Sequence, residues 1–350
     1  MDAAFRGHDA HPTDGIRENG STIAPSPRGC RVTTTPFDEF SFLPAQAAGI
    51  GVTAIPPVRR VTAPLPDGRT VSALQYGDPA TGEFPPPAVT LLHGAGLNAH
   101  TWDTTVLALG LPALAVDLPG HGDSSWRADG AYTGRVLAAD LAAVLPVWAA
   151  SPQVLVGQSL GGLTAAALTA AHPELVRRLI VVDISPGLDP NGGASQIRAF
   201  FAGPTDWASR EELVDRALSF GLGGSREAAT RGVFLNSRVR EDGRVEWKHH
   251  LAHLAHLLAA DRAAAAAADS AASASAGVLS AAGWDDLAAV AVPVTLIRGD
   301  RGYLTPADVD EYRRRLPAAE VITVAAGHNV QEDQPVELGG LLAARVHDAG

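Results

Sequence analysis

Ser159 is the residue around which chemistry can be built. It stands between two glycines in Gly157-Gln158-Ser159-Leu160-Gly161, after the apolar β-branched run Val154-Leu155-Val156 and before the Ala/Leu-rich stretch Leu160 to His172. That order predicts a strand, a tight turn and a helix, the setting in which a G-x-S-x-G serine presents its hydroxyl as a nucleophile. Such a turn forces the serine into strained backbone angles, and flanking glycines let strand and helix pass closely. The hydroxyl then sits at a helix N-terminus, where the Leu160 amide is free to donate to an oxyanion. His93, Asp117 and Asp183 also follow short apolar runs directly.

These residues are positioned by an alternation of strand-like and helix-like segments. Val58 to Ala63 and Thr70 to Tyr76 read as a hairpin around Pro66-Asp67-Gly68. Ala88 to Leu92, Pro112 to Val116 and Val154 to Val156 are predominantly apolar, as strands buried on both faces are, and Val176 to Val182 reads as another buried strand. Helical stretches lie between them, at Thr101 to Leu109, Thr133 to Trp148 and Leu160 to His172. The pattern predicts a mostly parallel sheet covered on both faces, with ligands at the carboxyl ends of its strands. His93, Asp117, Ser159 and Asp183 all fall on that edge. Alternation stops after Pro186 and resumes at Val292 to Arg298, followed by a helix from Pro306 to Leu316 and a last strand, Glu320 to Val324, running into Gly327-His328. A closing helix is expected from Pro335, proline suiting a first helical turn.

The expected organisation is a disordered or loosely attached tail over 1–54, an α/β core from 55–186 and 283–350, and a helical insertion over 187–282. Within that insertion, helices are expected at Gly193 to Phe201, Ser209 to Phe220 and Arg226 to Asn236, and Ala259 to Ala276 is low-complexity Ala/Ser sequence. The 350 residues carry a net charge of −11 without a dense Lys/Arg cluster, which argues against nucleic acid as a partner. The single cysteine, Cys30, excludes an internal disulfide framework. Neither a signal peptide nor an apolar run of membrane-spanning length is visible, so no membrane association is expected and a cytoplasmic location is the default. Oligomeric state is not legible.

Four pieces together resemble the α/β-hydrolase-fold enzymes: His93-Gly94-Ala95-Gly96, the run Asp117-Leu118-Pro119-Gly120-His121-Gly122-Asp123-Ser124, the turn around Ser159, and Gly327-His328. They span most of residues 58–350. The resemblance implies an α/β-hydrolase fold, with a mostly parallel eight-stranded sheet flanked by helices and a helical cap inserted after strand six. It also implies that Ser159 attacks an acyl carbonyl while His328 takes the proton and later returns it to the leaving group. The amides of Ala95 and Leu160 would hold the oxyanion. In the commonest family pattern the acid lies about three residues past the glycine ending strand seven. Here that place is filled by Gly302 in Gly299-Asp300-Arg301-Gly302-Tyr303. Asp183, at the end of strand six as in some family members, is the preferred acid, with Asp300 as the alternative.

Gly94, Trp102, Trp126 and His121 are expected to border the substrate, while His93 is expected to brace the oxyanion loop. His249, His253 and His256 recur at helical spacing but lack a carboxylate partner or an H-E-x-x-H pattern, so they read as packing and no metal is expected. No cofactor is required. A serine at position 159 excludes the aspartate-nucleophile branches of the family. Hydrolysis of a small to medium, largely apolar carboxylic ester is the leading expectation. Acyl transfer, carbon–carbon hydrolysis, perhydrolysis on the same residues, or ligand binding without catalysis are the alternatives.

Overall fold

The computed structural model describes residues 38–149, 152–188, 199–200, 203–254 and 282–348. Strand β1 (Val58–Pro64) pairs antiparallel with β2 (Thr70–Tyr76). Their turn is closed by the Leu65 and Gly68 amides, which donate to Arg69 O and Leu65 O at 2.7 and 3.0 Å. The central strands follow as β3 (Val89–Leu92), β4 (Ala113–Asp117), β5 (Gln153–Gln158) and β6 (Val176–Val182). After three short strands described below, β10 (Val294–Gly299) and β11 (Glu320–Val324) complete one eight-stranded sheet of order β1-β2-β4-β3-β5-β6-β10-β11. Pairing is parallel from β4 through to β11, and β2 alone runs against its neighbours. The expected fold class is therefore observed.

Side chains alternate across the sheet and fill two apolar layers. On one face Leu92, Leu114, Val116 and Leu155 meet Leu137 and Leu141 of α3 (Gly134–Trp148) and Ala165 and Leu168 of α4 (Leu160–Ala171). On the other, Leu91, Ala115, Val154 and Val156 meet Val106 of α2 (Asp103–Leu109) and Leu338 and Leu342 of the closing helix Pro335–His347. Because β3, β4 and β5 are buried at every position, the sheet is a rigid floor, and only the loops at its carboxyl edge carry exposed chemistry.

The expectation of a loose tail through residue 54 needs correcting. Helix α1 (Leu43–Gly49) packs Leu43 and Ala47 against Leu107 of α2. Ahead of it, Glu39 forms an ion pair with Arg60 of β1 at 2.6 Å. Residues 1–37 lie outside the described residues. Seven residues are too few to show helical periodicity, and the ion pair joins positions far apart in sequence.

Between β6 and β10, helices α5 (Arg210–Ser219) and α6 (Arg226–Asn236) match two expected helices, capped by the hydroxyls of Ser209 and Ser225. They pack with a three-stranded antiparallel sheet of order β7-β9-β8, made of β7 (Asp206–Trp207), β8 (Ser237–Val239) and β9 (Val245–Trp247). This small sheet was not expected, although Asp242-Gly243 between β8 and β9 is a hairpin signal. Most of the expected helix at Gly193 to Phe201 and all of the Ala/Ser run at Ala259 to Ala276 fall outside the described residues. Among the described residues no helix is long and apolar enough to cross a membrane.

Candidate active site

The Ser159 turn is built by close approach. Ser159 has φ 53° and ψ −120°, one of two non-glycine residues with positive φ among those described. A Cβ on Gly157 would stand 2.2 Å from Gly161 O, and one on Gly161 would stand 2.3 Å from Leu92 O. Both positions therefore exclude any larger residue. The turn is locked by the Ser159 amide on Val182 O (3.1 Å) and by the amides of Gly162 and Leu163 on Ser159 O (2.8 and 3.1 Å). Leu160 opens α4, so its N–H has no acceptor within the helix.

The loop after β3 runs against this turn. A Cβ on Gly94 would meet Gln158 Oε1 at 2.2 Å and Ser159 Cβ at 3.2 Å, which brings Gly94 alongside the serine. His93 braces the loop from below. One ring nitrogen, Nδ1, donates to Gly94 O (2.8 Å) and the other, Nε2, accepts from the Leu118 amide (3.0 Å). Burial, only partly opposed by the Gly94 carbonyl, pushes its pKa down to about 4, so the ring is neutral and holds this tautomer.

Asp183 is the second non-glycine residue with positive φ, 46°, and is fully buried. Its Oδ2 lies 2.8 Å from His328 Nδ1 and accepts the Tyr303 amide at 2.8 Å, while Oδ1 accepts the Gly299 amide at 3.0 Å. Gly302 marks the place where a strand-seven acid would stand, and a Cβ there would lie 2.2 Å from Asp183 Oδ1. The carboxylate from β6 occupies that space. Asp300 instead faces outward and pairs with Arg301 at 3.0 Å, so the structure does not bring it to His328.

Two residues that sequence reasoning missed complete the arrangement. Gln158 donates from Nε2 to His328 O at 3.2 Å, tying the serine's turn to the loop that carries the imidazole. Tyr303 lays its ring flat on the imidazole, with centroids 3.5 Å apart and planes 10° apart. A glutamine next to the serine and a tyrosine next to Gly302 were visible in sequence, but their partners lie more than 20 residues away.

Two expected pocket residues sit elsewhere. Trp102 is fully buried in the apolar layer beneath the sheet, among Tyr76, Val106 and Leu338, because the turn Ala99–Trp102 points it inward. His121 is likewise fully buried, its ring 5.1 Å from His93, and burial with that neighbour pushes its pKa to about 3. It packs the loop after β4 and does not face a cleft. Trp126 joins that loop to the insertion, donating from Nε1 to Lys248 O at 3.1 Å and stacking on His250 at 4.6 Å. His249 precedes the helical turn at 250–254 and stacks on Trp247 at 5.6 Å, so it shares no helical face with His253. His256 lies outside the described residues. Among the described residues no cluster of three His, Cys, Asp or Glu could hold a metal ion.

Fold, turn and strand-end loops define a class, and sequence comparison agrees: residues 91–339 match the Alpha/beta hydrolase family. The chain belongs to that family. Among its relatives, the protein named Esterase Rv0045c of Mycobacterium tuberculosis is 36% identical over 310 residues, covering 86% of this chain and 93% of the relative. A crystal structure of that esterase superposes with a TM-score of 0.70 at 35% identity, over 89% of this chain and 99% of the other. The mouse (Mus musculus) protein named sn-1-specific diacylglycerol lipase ABHD11 is 31% identical over 268 residues, covering 73% of this chain and 79% of that one.

Proposed function

We propose that this enzyme, a carboxylic-ester hydrolase, cleaves its substrate through an acyl-enzyme on Ser159. His328 Nε2 takes the hydroxyl proton as Ser159 Oγ attacks the ester carbonyl, and returns it to the departing alcohol. Asp183 holds Nδ1–H, fixing the tautomer and stabilising the imidazolium that forms. The amides of Ala95 and Leu160 donate to the oxyanion, each worth on the order of 3 kcal/mol of barrier in comparable enzymes. Water, activated by the same imidazole, then attacks the acyl carbonyl and releases the acid. The substrate is a small to medium, largely apolar ester, and the insertion over 187–282 acts as the cap above it.

The observation that carries this reading is the 2.8 Å contact between Asp183 Oδ2 and His328 Nδ1, with Gln158 linking the His328 loop to the serine's turn. The names of the two relatives, esterase and lipase, support the same chemistry. The test is covalent labelling with a fluorophosphonate, followed by peptide mapping and a chromogenic ester panel graded by acyl length. Labelling is expected on Ser159 alone, and Ser159→Ala is expected to lose both labelling and turnover. A folded parent protein that neither labels nor hydrolyses any ester of the panel overturns the reading.

A further inference from the structure

The loop that follows β3 is a turn in which Gly94 O accepts the Leu97 amide at 3.2 Å, with Ala95 and Gly96 at its centre and Gly96 at φ 77°. A glycine at positive φ makes such a turn easy to form and easy to deform. Each side of it is held from a different part of the molecule. From the sheet side, His93 Nδ1 holds Gly94 O. From the insertion, Asn236 Nδ2 donates to Gly96 O at 2.6 Å. The bond is reciprocated: Asn98 Nδ2 donates to Leu235 O at 2.9 Å, taking one of the carbonyls left open at the end of α6.

Asn236 is also anchored from behind. It ends α6 and leads into β8, and its own carbonyl accepts the Lys248 amide at 2.9 Å, on the far side of the β8–β9 hairpin. Lys248 in turn reaches the loop after β4, its Nζ pairing with Asp123 at 3.0 Å and its carbonyl accepting Trp126 Nε1. The hairpin is thus fastened to both strand-end loops, and the Asn236 amide is the bond that reaches the Ala95–Gly96 turn itself, beside the Asn98 bond to Leu235 O.

We propose that Asn236 is a positioning residue that sets the Ala95 amide in the oxyanion hole, so that the seating of the insertion on the core is read out as transition-state stabilisation. This rests on the acyl-enzyme reading above. Asn236 touches no reacting atom. It acts through Gly96, and its loss should therefore weaken binding of the tetrahedral species and spare binding of the ester.

The experiment compares Asn236→Ala and Asn236→Leu with the parent in three measurements: steady-state kinetics on one chromogenic ester, affinity for a trifluoromethyl ketone, and affinity for the corresponding unfluorinated ketone. The first ketone forms a tetrahedral adduct with the serine, and the second reports ground-state binding. The expected result is a fall in kcat of about 10- to 100-fold, of the size a small misplacement produces, with KM changed less than about twofold. Trifluoromethyl ketone affinity should fall in proportion, unfluorinated ketone affinity should hold, and Asn236→Gln, which keeps a donor, should recover part of the loss. Parental kcat in both variants overturns the proposal. So does a kcat loss without a matching loss of trifluoromethyl ketone affinity. Should either variant fold poorly, Asn98→Ala, which removes the opposite half of the clasp, is read by the same three measurements and the same criteria. A parent that is inert toward fluorophosphonate sinks the acyl-enzyme reading instead, which keeps the two failures distinguishable.

Discussion

Two histidine–carboxylate contacts in this molecule have nearly the same length and opposite consequences. His328 meets one carboxylate, Asp183, through Nδ1 at 2.8 Å, and Nε2 has no hydrogen bond among the described residues. His100 meets two, with Nδ1 on Asp103 at 3.0 Å and Nε2 on Glu39 at 3.1 Å. Burial alone would push the His100 pKa down, but the charge and hydrogen bonds of Asp103 and Glu39 outweigh it and hold it at about 9. Glu39 shows the counterpart: burial pushes it up, while His100 and Arg60 pull it down to about 2. His100 is a fixed cation that clasps the segment ahead of α1 to the core. His328 keeps one nitrogen uncommitted, which a proton carrier requires. Under the proposed function, clamp and base differ in the number of carboxylates in contact, while residue type is the same and the distances are similar.

Replacing the carboxylates one at a time tests that distinction, and the largest effect is expected at His328. Asp183→Asn removes the acceptor that fixes the Nδ1–H tautomer, and kcat/KM should fall by roughly 10⁴-fold with little change in melting temperature. Asp300→Asn should leave kcat/KM within about twofold, because the Asp300 carboxylate pairs with Arg301. Asp103→Asn, at the clamp, should lower stability and leave turnover by the folded enzyme intact. A large kinetic loss in Asp300→Asn, or none in Asp183→Asn, would break the assignment.

The chain displays some of this plainly. The strands, the mostly parallel sheet and the turn at Ser159 follow from apolar runs, strand–helix alternation and glycine spacing, which are local signals. The acid was less legible, because choosing between Asp183 and Asp300 requires knowing which side chain fills the space above residue 302. The trace in the sequence is negative, a glycine where a side chain would collide with Asp183. Trp102 is expected at the pocket, but a short 3-10 turn directs it into the core. The Glu39–Arg60–His100 clasp and the Gln158–His328 and Asn236–Gly96 bonds join residues 21 to 170 positions apart. Pairings of that kind leave no periodicity to read. Only the β8–β9 hairpin, with its Asp242-Gly243 turn, was within reach of local rules and overlooked.

A second perturbation of the His328 side acts through space alone. In Gly302→Ala the new Cβ would need the volume held by the Asp183 carboxylate, 2.2 Å from Oδ1. The carboxylate is retained but displaced, so the loss should be smaller than in Asp183→Asn. We expect kcat to fall by about 10- to 100-fold with KM nearly unchanged, as for a small misalignment of catalytic groups. Steady-state kinetics at one pH suffice. Full activity in Gly302→Ala would mean that Asp183 can move without consequence, and that its contact with His328 is incidental.

The smallest effect is expected at the clamp, where it appears in stability and not in rate. His100 binds its proton more tightly folded than unfolded, with a pKa of about 9 against an ordinary 6.5. Its contribution is therefore complete below pH 6.5 and is lost as pH rises through 9. Glu39 has the opposite sign: its pKa is about 2 against 4.5, so its contribution is complete above pH 4.5 and is lost as pH falls toward 2. Both are fully present only between about pH 4.5 and 6.5. Between about pH 6 and pH 8 the His100 term should shrink by about 1–2 kcal/mol, from 1.36 kcal/mol per pKa unit. Thermal melts across that range should show the parent losing stability faster than His100→Gln, with the two curves converging above about pH 9, while kcat on a chromogenic ester stays the same in both. Melting curves that run parallel across the whole range would show that His100 carries no proton that Glu39 and Asp103 retain.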